Sequence, residues 1–322
     1  MNREALHESR LGVASQGPVV GTTRGRYAPA ADPEDVTRGD GSLVLHNEEG
    51  AVGMAWRVVL LVLPFLGAAY LLRYIPIRLQ TSILADRGVP TATALAQARY
   101  AILDDPTWSA LVGIAQGLVW FPLVSLIITM VERRPCSMRD LGLATGPRGL
   151  LLVLTGIVLA AALYVGYGCV DGLLHSTRIS WTLSGLHPIT AALTALNFIA
   201  NAYGEETAFR AYLQDRLVGR HGLWYGVALT SVGFVLLHLF VSRISGLALL
   251  ASVMISAVYG ILYLQTQSVY LVGTMHAVFN IAPRLLHQWP TDESLLIVHA
   301  LALFVAIVWF IRRNTLRDRN YD

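Results

Sequence analysis

Three groups of ionisable and amide side chains interrupt stretches of sequence that are otherwise apolar. The groups are Glu205, Glu206 and Arg210 in NAYGEETAFR, His238 in GFVLLHLF, and His276 and Asn280 in GTMHAVFN. Carboxylates and imidazoles exchange protons near physiological pH, so a set of this kind can act as general acids and bases. The sequence therefore predicts one acid–base site assembled from three segments.

The spacing within each group fits a helix, on which residues four apart share a face. Glu206 and Arg210 have the spacing and the order of an ion pair, and His276 is aligned with Asn280. An acidic pair neutralised by Arg210 and Arg216 at a solvated helix end is the simpler interpretation, and a single membrane histidine is usually a packing residue. The combination of an acidic pair, two histidines and an aligned asparagine favours catalysis.

The elements that must position these residues are membrane helices. Of the 322 residues, 54% are hydrophobic and 14% are charged, and the mean hydropathy is +0.53, whereas soluble domains usually carry about 25% charged residues. Eight windows are long and apolar enough to be spans: 54–75, 107–131, 149–170, 187–204, 222–242, 246–265, 268–283 and 294–311. The predicted fold is an all-α polytopic transmembrane helical bundle of about eight spans.

The predicted domain organisation follows from these windows. Residues 1–53 are polar and are expected to be a disordered tail, residues 54–312 form the transmembrane domain with a catalytic core at about 187–283, and residues 313–322 form a short cytoplasmic tail. All basic residues are Arg, which suggests GC-rich coding and a bacterial source. The arginines lie at helix ends instead of forming a basic stripe, so nucleic-acid binding is not expected. The sequence does not specify an oligomeric state.

Arginines near span ends indicate the orientation, because cytoplasmic loops are enriched in them. They lie in three segments that fall on one side of an eight-span bundle: Arg133, Arg134, Arg139 and Arg148; Arg216 and Arg220; and Arg312, Arg313, Arg317 and Arg319. This predicts a multi-pass protein of the inner (cytoplasmic) cell membrane with both termini in the cytoplasm. Arg78, Arg87 and Arg99 of the first loop are the contrary evidence.

The three groups together resemble the motifs of the CPBP family, which comprises type II CAAX prenyl endopeptidases and bacteriocin-processing enzymes. The matching segments are Glu205-Glu206-Thr207-Ala208-Phe209-Arg210, Phe234 to His238, and His276 to Asn280. The resemblance covers about residues 130–285, with Asp140-Leu141-Gly142-Leu143 as a weaker match. It implies a CAAX prenyl endopeptidase-like bundle and an intramembrane endopeptidase that acts on membrane-anchored peptides or proteins.

The resemblance also implies roles for the residues. Glu205, with His238, would activate a water, and His276 with Asn280 would face the carbonyl oxygen as an oxyanion site. Glu206 and Arg210 would support this arrangement through their ion pair.

Metal dependence and function class stay open at this stage. Glu205, His238 and His276 would be the ligands if zinc is used, but the chain lacks His-Glu-x-x-His, and catalysis without a metal or other cofactor is favoured. The rival functions are a non-proteolytic membrane scaffold or bacteriocin-immunity protein of the same fold and, less favoured because no internal repeat is visible, a proton-coupled transporter.

Overall fold

The computed structural model of the chain describes residues 53–144, 146–176, 185, 187–239, 245–286 and 289–319. These residues form α-helices and two π-helical segments, with no β-strand among them. The predicted tail, residues 1–53, lies outside the described residues except for Gly53. The α-helices are α1 (Met54–Asp86), α2 (Thr91–Arg99), α3 (Pro106–Val131), α4 (Arg148–His175), α5 (Pro188–Glu206), α6 (Asp215–His221), α7 (Leu223–Leu239), α8 (Gly246–Thr266), α9 (Val269–Leu285) and α10 (Asp292–Arg319). The π-helical segments are Tyr100–Asp104 and Thr207–Gln214.

Each of the predicted windows coincides with one of these helices, so the all-α membrane fold is confirmed. In the described part of the chain, five helices (α1, α3, α4, α8 and α10) are long and apolar enough to cross a membrane. The chain is thus a multi-pass membrane protein, while the count of eight spans stays a prediction. Several helices extend beyond their windows, most of all α1, which continues to Asp86, and α10, which continues to Arg319. The last three residues of window 222–242 lie outside the described residues.

Helix α5, which carries the acidic pair at its C-terminal end, is pressed against α3 at glycines. A Cβ atom added at Gly117 would lie 2.5 Å from the carbonyl carbon of Ala200. The two helices can approach this closely only because residue 117 has no side chain. The amide of Asn201 donates to the carbonyl of Gly113 over 2.8 Å and to Oδ1 of Asn197 over 2.7 Å. Close backbone approach at small residues, reinforced by polar side chains, is how helices associate in lipid. The contact sets where the end of α5 lies.

The loop between α3 and α4 is held by its own charges. Arg134 donates to both carboxylate oxygens of Asp140, over 2.9 and 2.7 Å, and Ser137 donates its hydroxyl to the same carboxylate over 2.6 Å. The hydrogen bonds from Arg134 hold the pKa of Asp140 well below its usual range, against the opposing effect of burial. Residues 134–140 of this loop therefore have a defined shape.

This loop braces the two segments that carry the acidic pair and His276. The amide of Val269, at the start of α9, donates to the carbonyl of Gly142 over 3.0 Å. The hydroxyl of Thr207, which follows the acidic pair, donates to the carbonyl of Leu141 over 3.3 Å. Gly142 has φ +70°, and a Cβ there would lie 2.7 Å from Val269, so the close approach requires glycine. The weaker of the sequence matches thus has a structural role.

Candidate active site

The acidic pair lies where an α-helix changes into a π-helix. Helix α5 ends at Glu206, and the chain continues as the π-helical segment Thr207–Gln214, in which all eight residues are buried. Such segments are rare and occur frequently at functional sites. Within this segment, Arg210 and Gln214 lie in the protein interior.

Glu206 and Arg210 form a fully buried ion pair, as their spacing predicts. Both side chains are 0% exposed, and Nε of Arg210 lies 3.0 Å from Oε2 of Glu206. The other guanidinium nitrogens donate to Oγ of Ser256 over 2.6 Å and to Oε1 of Gln214 over 3.3 Å. Gln214 in turn donates to the carbonyl of Gly260 over 3.0 Å. Helix α8 therefore positions the guanidinium group of Arg210, which in turn binds Glu206.

Glu206 also orients the imidazole of His276. Nδ1 of His276 lies 3.0 Å from Oε1 of Glu206. A carboxylate paired with an arginine only accepts hydrogen bonds, so Nδ1 carries a hydrogen and donates it. The second ring nitrogen, Nε2, is then unprotonated when the ring is neutral, and donates only when the ring is an imidazolium.

His238 is oriented in the same way by its own helix. Its Nδ1 lies 2.8 Å from the carbonyl oxygen of Phe234, an acceptor only, so this nitrogen is also the protonated one. The ring of Phe234 lies against both imidazoles, with centroid distances of 4.6 Å to His238 and 5.7 Å to His276. The spacing Phe-x-x-x-His thus supplies both a backbone acceptor and a packing surface.

The two Nε2 atoms converge on the other member of the acidic pair. Oε2 of Glu205 lies 3.8 Å from Nε2 of His238 and 3.8 Å from Nε2 of His276. These separations are too long for direct hydrogen bonds, and they are of the size that a bridging water spans. The side chains of Glu205 and His238 are 15% and 30% exposed, so this part of the site is less buried than the Glu206–Arg210 pair.

A cavity of about 130 Å³ adjoins the two histidines. It is lined by residues of α7, α8 and α9: Phe234, Val235, His238, Ser252, Ile255, Ser256, Tyr259, His276, Phe279 and Asn280. The volume holds several water molecules. Glu205 is not part of the lining, but it contacts two residues that are.

The structure brings most of the predicted site residues into one network. Contacts join Glu205, Glu206, Arg210, His238 and His276, whereas Asn280 meets this network only through the cavity that it lines with both histidines. Asn197 and Asn201, which precede Glu205 at four-residue spacing on the same face of α5, are not joined to this network: Asn201 donates to the carbonyl of Gly113 on α3 and to Oδ1 of Asn197.

Sequence analysis missed the polar face of α8. Ser252, Ser256 and Tyr259 line the cavity, and Gln214 supports Arg210. The serine and tyrosine spacing of four and three residues places them on one helix face. This spacing is visible in the sequence, but hydroxyl groups are inexpensive in membrane helices and do not mark a site as charges do.

Glu205, His238 and His276 are the predicted ligands if zinc is used. Two imidazoles and a carboxylate are a donor set of catalytic zinc sites, and Glu205, His238 and His276 supply it. Among the described residues, however, no group of three or more His, Cys, Asp or Glu side chains is placed to hold a metal ion. The two imidazoles approach the same carboxylate oxygen of Glu205.

Comparison with known proteins identifies the region that carries this site. Residues 187–282 match the family described as type II CAAX prenyl endopeptidase Rce1-like, and this range includes every predicted site residue. No curated protein matches the chain. The geometry and the match agree with the resemblance of the motifs, and the match supports a CPBP-type intramembrane protease over residues 187–282.

Proposed function

We propose that the protein hydrolyses peptide bonds of membrane-associated peptides or proteins with a water activated by Glu205 and His238. The observation that carries this proposal is the position of one carboxylate oxygen of Glu205, 3.8 Å from the Nε2 atoms of both His238 and His276, beside a cavity. Because the carboxylate and the imidazoles approach each other without a direct hydrogen bond, the attacking water can lie between them.

In the proposed reaction, a water donates one hydrogen bond to Glu205 and one to the unprotonated Nε2 of His238. Glu205 removes a proton as the water oxygen attacks the peptide carbonyl carbon, which becomes tetrahedral, and its oxygen becomes an oxyanion. The carbon–nitrogen bond then breaks, and the leaving amine takes the proton from Glu205. The products are a carboxylic acid and an amine, and no further reactant is needed.

The oxyanion is stabilised by Asn280 and His276. The side-chain amide of Asn280 donates in any protonation state, whereas Nε2 of His276 donates only from the imidazolium. Glu206, which holds the opposite nitrogen of that ring at 3.0 Å, favours the cation by its negative charge. Arg210 keeps the Glu206 carboxylate ionised and aimed at the ring.

The substrate class follows from the setting of the site. Glu205, His238 and His276 lie on helices of a membrane bundle, so the scissile bond belongs to a peptide that partitions into the bilayer. For a bacterial protein, a peptide precursor, a bacteriocin leader or an anti-sigma-type membrane protein is a more plausible substrate than a prenylated C-terminus. The predicted topology has peptides reaching the site from the cytoplasmic face.

The proposal is tested by replacing Glu205 and His238 separately with Ala and presenting a membrane-anchored peptide library to the reconstituted protein. We expect cleavage by the unaltered protein and a loss of about 10²–10⁴-fold in each variant, which is the contribution of a positioned proton-transfer group. Full cleavage by both variants would eliminate the enzyme. No cleavage by the unaltered protein would favour the scaffold, immunity or transporter alternatives.

We also propose that catalysis proceeds without a metal. The purified protein is expected to contain no stoichiometric zinc, and its rate of peptide cleavage is expected to be unchanged after incubation with a strong chelator. The measurement is elemental analysis paired with the cleavage assay before and after chelation. Activity that is lost on chelation and restored by added zinc would reverse this proposal and make Glu205, His238 and His276 the ligand candidates.

A further inference from the structure

Helix α8 contributes three residues with hydroxyl groups to the lining of the cavity. Ser252, Ser256 and Tyr259 line the cavity together with His276 and Asn280. The ring of Tyr259 is stacked on that of His276, with centroids 5.8 Å apart and planes at 27°. A peptide carbonyl in the cavity would therefore have these α8 residues as well as His276 and Asn280 in its surroundings.

The hydroxyl proton of Ser256 has no acceptor among the described residues. Ser256 is 1% exposed, and its Oγ accepts from Nη2 of Arg210 over 2.6 Å. A guanidinium only donates, so this bond leaves the Ser256 proton unused. Ser252, one turn earlier, differs: it donates its proton to the carbonyl of Ala248 over 2.7 Å. The bond from Arg210 also polarises the Ser256 hydroxyl and makes it a stronger donor.

Tyr259 carries a second unused donor. The residue is 3% exposed, and its buried hydroxyl makes no hydrogen bond with any described residue. A buried polar group without a partner costs free energy, and a catalytic role is one of the few reasons for keeping it. A substrate oxygen that enters the cavity would supply the missing acceptor.

We propose that Ser256 Oγ and Tyr259 Oη donate hydrogen bonds to the peptide carbonyl oxygen and, in the transition state, to the oxyanion, together with Asn280. This inference rests on the proposed function and adds two catalytic residues to it. These hydroxyl groups add donors that His276 on α9 cannot supply while its ring is neutral, because its Nε2 then carries no hydrogen.

Replacing Tyr259 with Phe tests the proposal with little change of shape. Because the hydroxyl has no partner in the free protein, the melting temperature should not fall. The kcat for the membrane-anchored peptide that the unaltered protein cleaves fastest should fall by about 10²-fold, the lower end for loss of one oxyanion donor, with KM nearly unchanged. Ser231→Ala is the matched control, because Ser231 is also a buried hydroxyl without a partner but does not line the cavity; its kcat should be unchanged.

Ser256 is tested by a pair of variants, because Ser256→Ala also removes the acceptor of Arg210. Ser256→Thr keeps the hydroxyl and should cleave at least tenfold faster than Ser256→Ala, an effect of the size expected for a charge-polarised donor. Equal rates of the two variants, measured per folded protein, would remove Ser256 from the proposal.

The results separate this inference from the function beneath it. If Glu205→Ala is inactive while Tyr259→Phe and Ser256→Ala both keep the full kcat, the α8 donors are refuted and the peptidase stands. If Glu205→Ala cleaves at the full rate, the proposed function fails and the inference falls with it. A large drop in the melting temperature of Tyr259→Phe would show that its hydroxyl is already bonded in the free protein, and would overturn the inference without any substrate.

Discussion

Glu206→Gln will abolish detectable peptide cleavage and lower the free energy of unfolding by about 3–5 kcal/mol, the usual cost of removing one partner from a buried ion pair. Glu206 and Arg210 are both 0% exposed and lie 3.0 Å apart, so the substitution leaves the guanidinium charge uncompensated inside the protein. It also removes the anion that lies 3.0 Å from His276. Unfolding in detergent and cleavage of the peptide library would be measured side by side.

A double variant separates the two effects of this substitution. Glu206→Leu combined with Arg210→Met replaces the pair by apolar side chains of similar size, an exchange that is often neutral or stabilising for buried ion pairs. We expect most of the lost stability to return while cleavage stays absent, because His276 has no acceptor for its Nδ1. A double variant that is both stable and active would show that the pair has only a structural role.

Asn280→Ala will lower kcat by about 10²–10³-fold with little change in KM or in stability, the loss typical of one oxyanion-hole donor. Asn280 lines the cavity with His276, one helical turn away. Its backbone carbonyl accepts from Arg284 over 2.8 Å, whereas its side-chain amide makes no hydrogen bond with a described residue. The amide is therefore available to the substrate, and its removal breaks no bond of the free protein.

Asn280→Asp is the control for shape, because it keeps the size of the side chain and removes its N–H donors. The added negative charge would face the developing oxyanion, so kcat should fall at least as far as in the Ala variant. Steady-state kinetics with one library peptide would measure both variants. A rise in KM with kcat unchanged would assign Asn280 to substrate binding in the ground state and remove it from the oxyanion site.

The local relations within the site were predictable from residue spacing. The ion pair of Glu206 with Arg210 and the shared orientation of His276 and Asn280 both follow from the helical period. The membrane fold followed from apolar windows, each of which coincides with a helix. These features depend on residues that are close in the sequence, because the backbone of a helix sets the spacing of the residues that share a face.

The relations between helices could not be predicted in this way. In the sequence analysis, Glu205 is assigned to act with His238 and Glu206 to pair with Arg210. The structure adds that Glu206 also contacts Nδ1 of His276, whereas Glu205 approaches the Nε2 atoms of both His238 and His276. Asn201 shares the helix face of Glu205, yet its amide donates to the carbonyl of Gly113 on α3. The side chains of adjacent residues on an α-helix point about 100° apart. Glu205 and Glu206 therefore approach different atoms of the neighbouring helices.

The sequence by itself determined that this protein is a helical membrane protein, which residues could perform acid–base chemistry, and which of them share a helix face. Only the tertiary structure decided which carboxylate faces the two imidazoles, which ring nitrogens carry hydrogen, and that α8 brings Ser256 and Tyr259 to the same cavity. The physical reason is that helix period and hydropathy are local properties of the chain. The approach of α3, α5, α8 and α9 depends on glycine contacts and buried hydrogen bonds between residues far apart in the sequence.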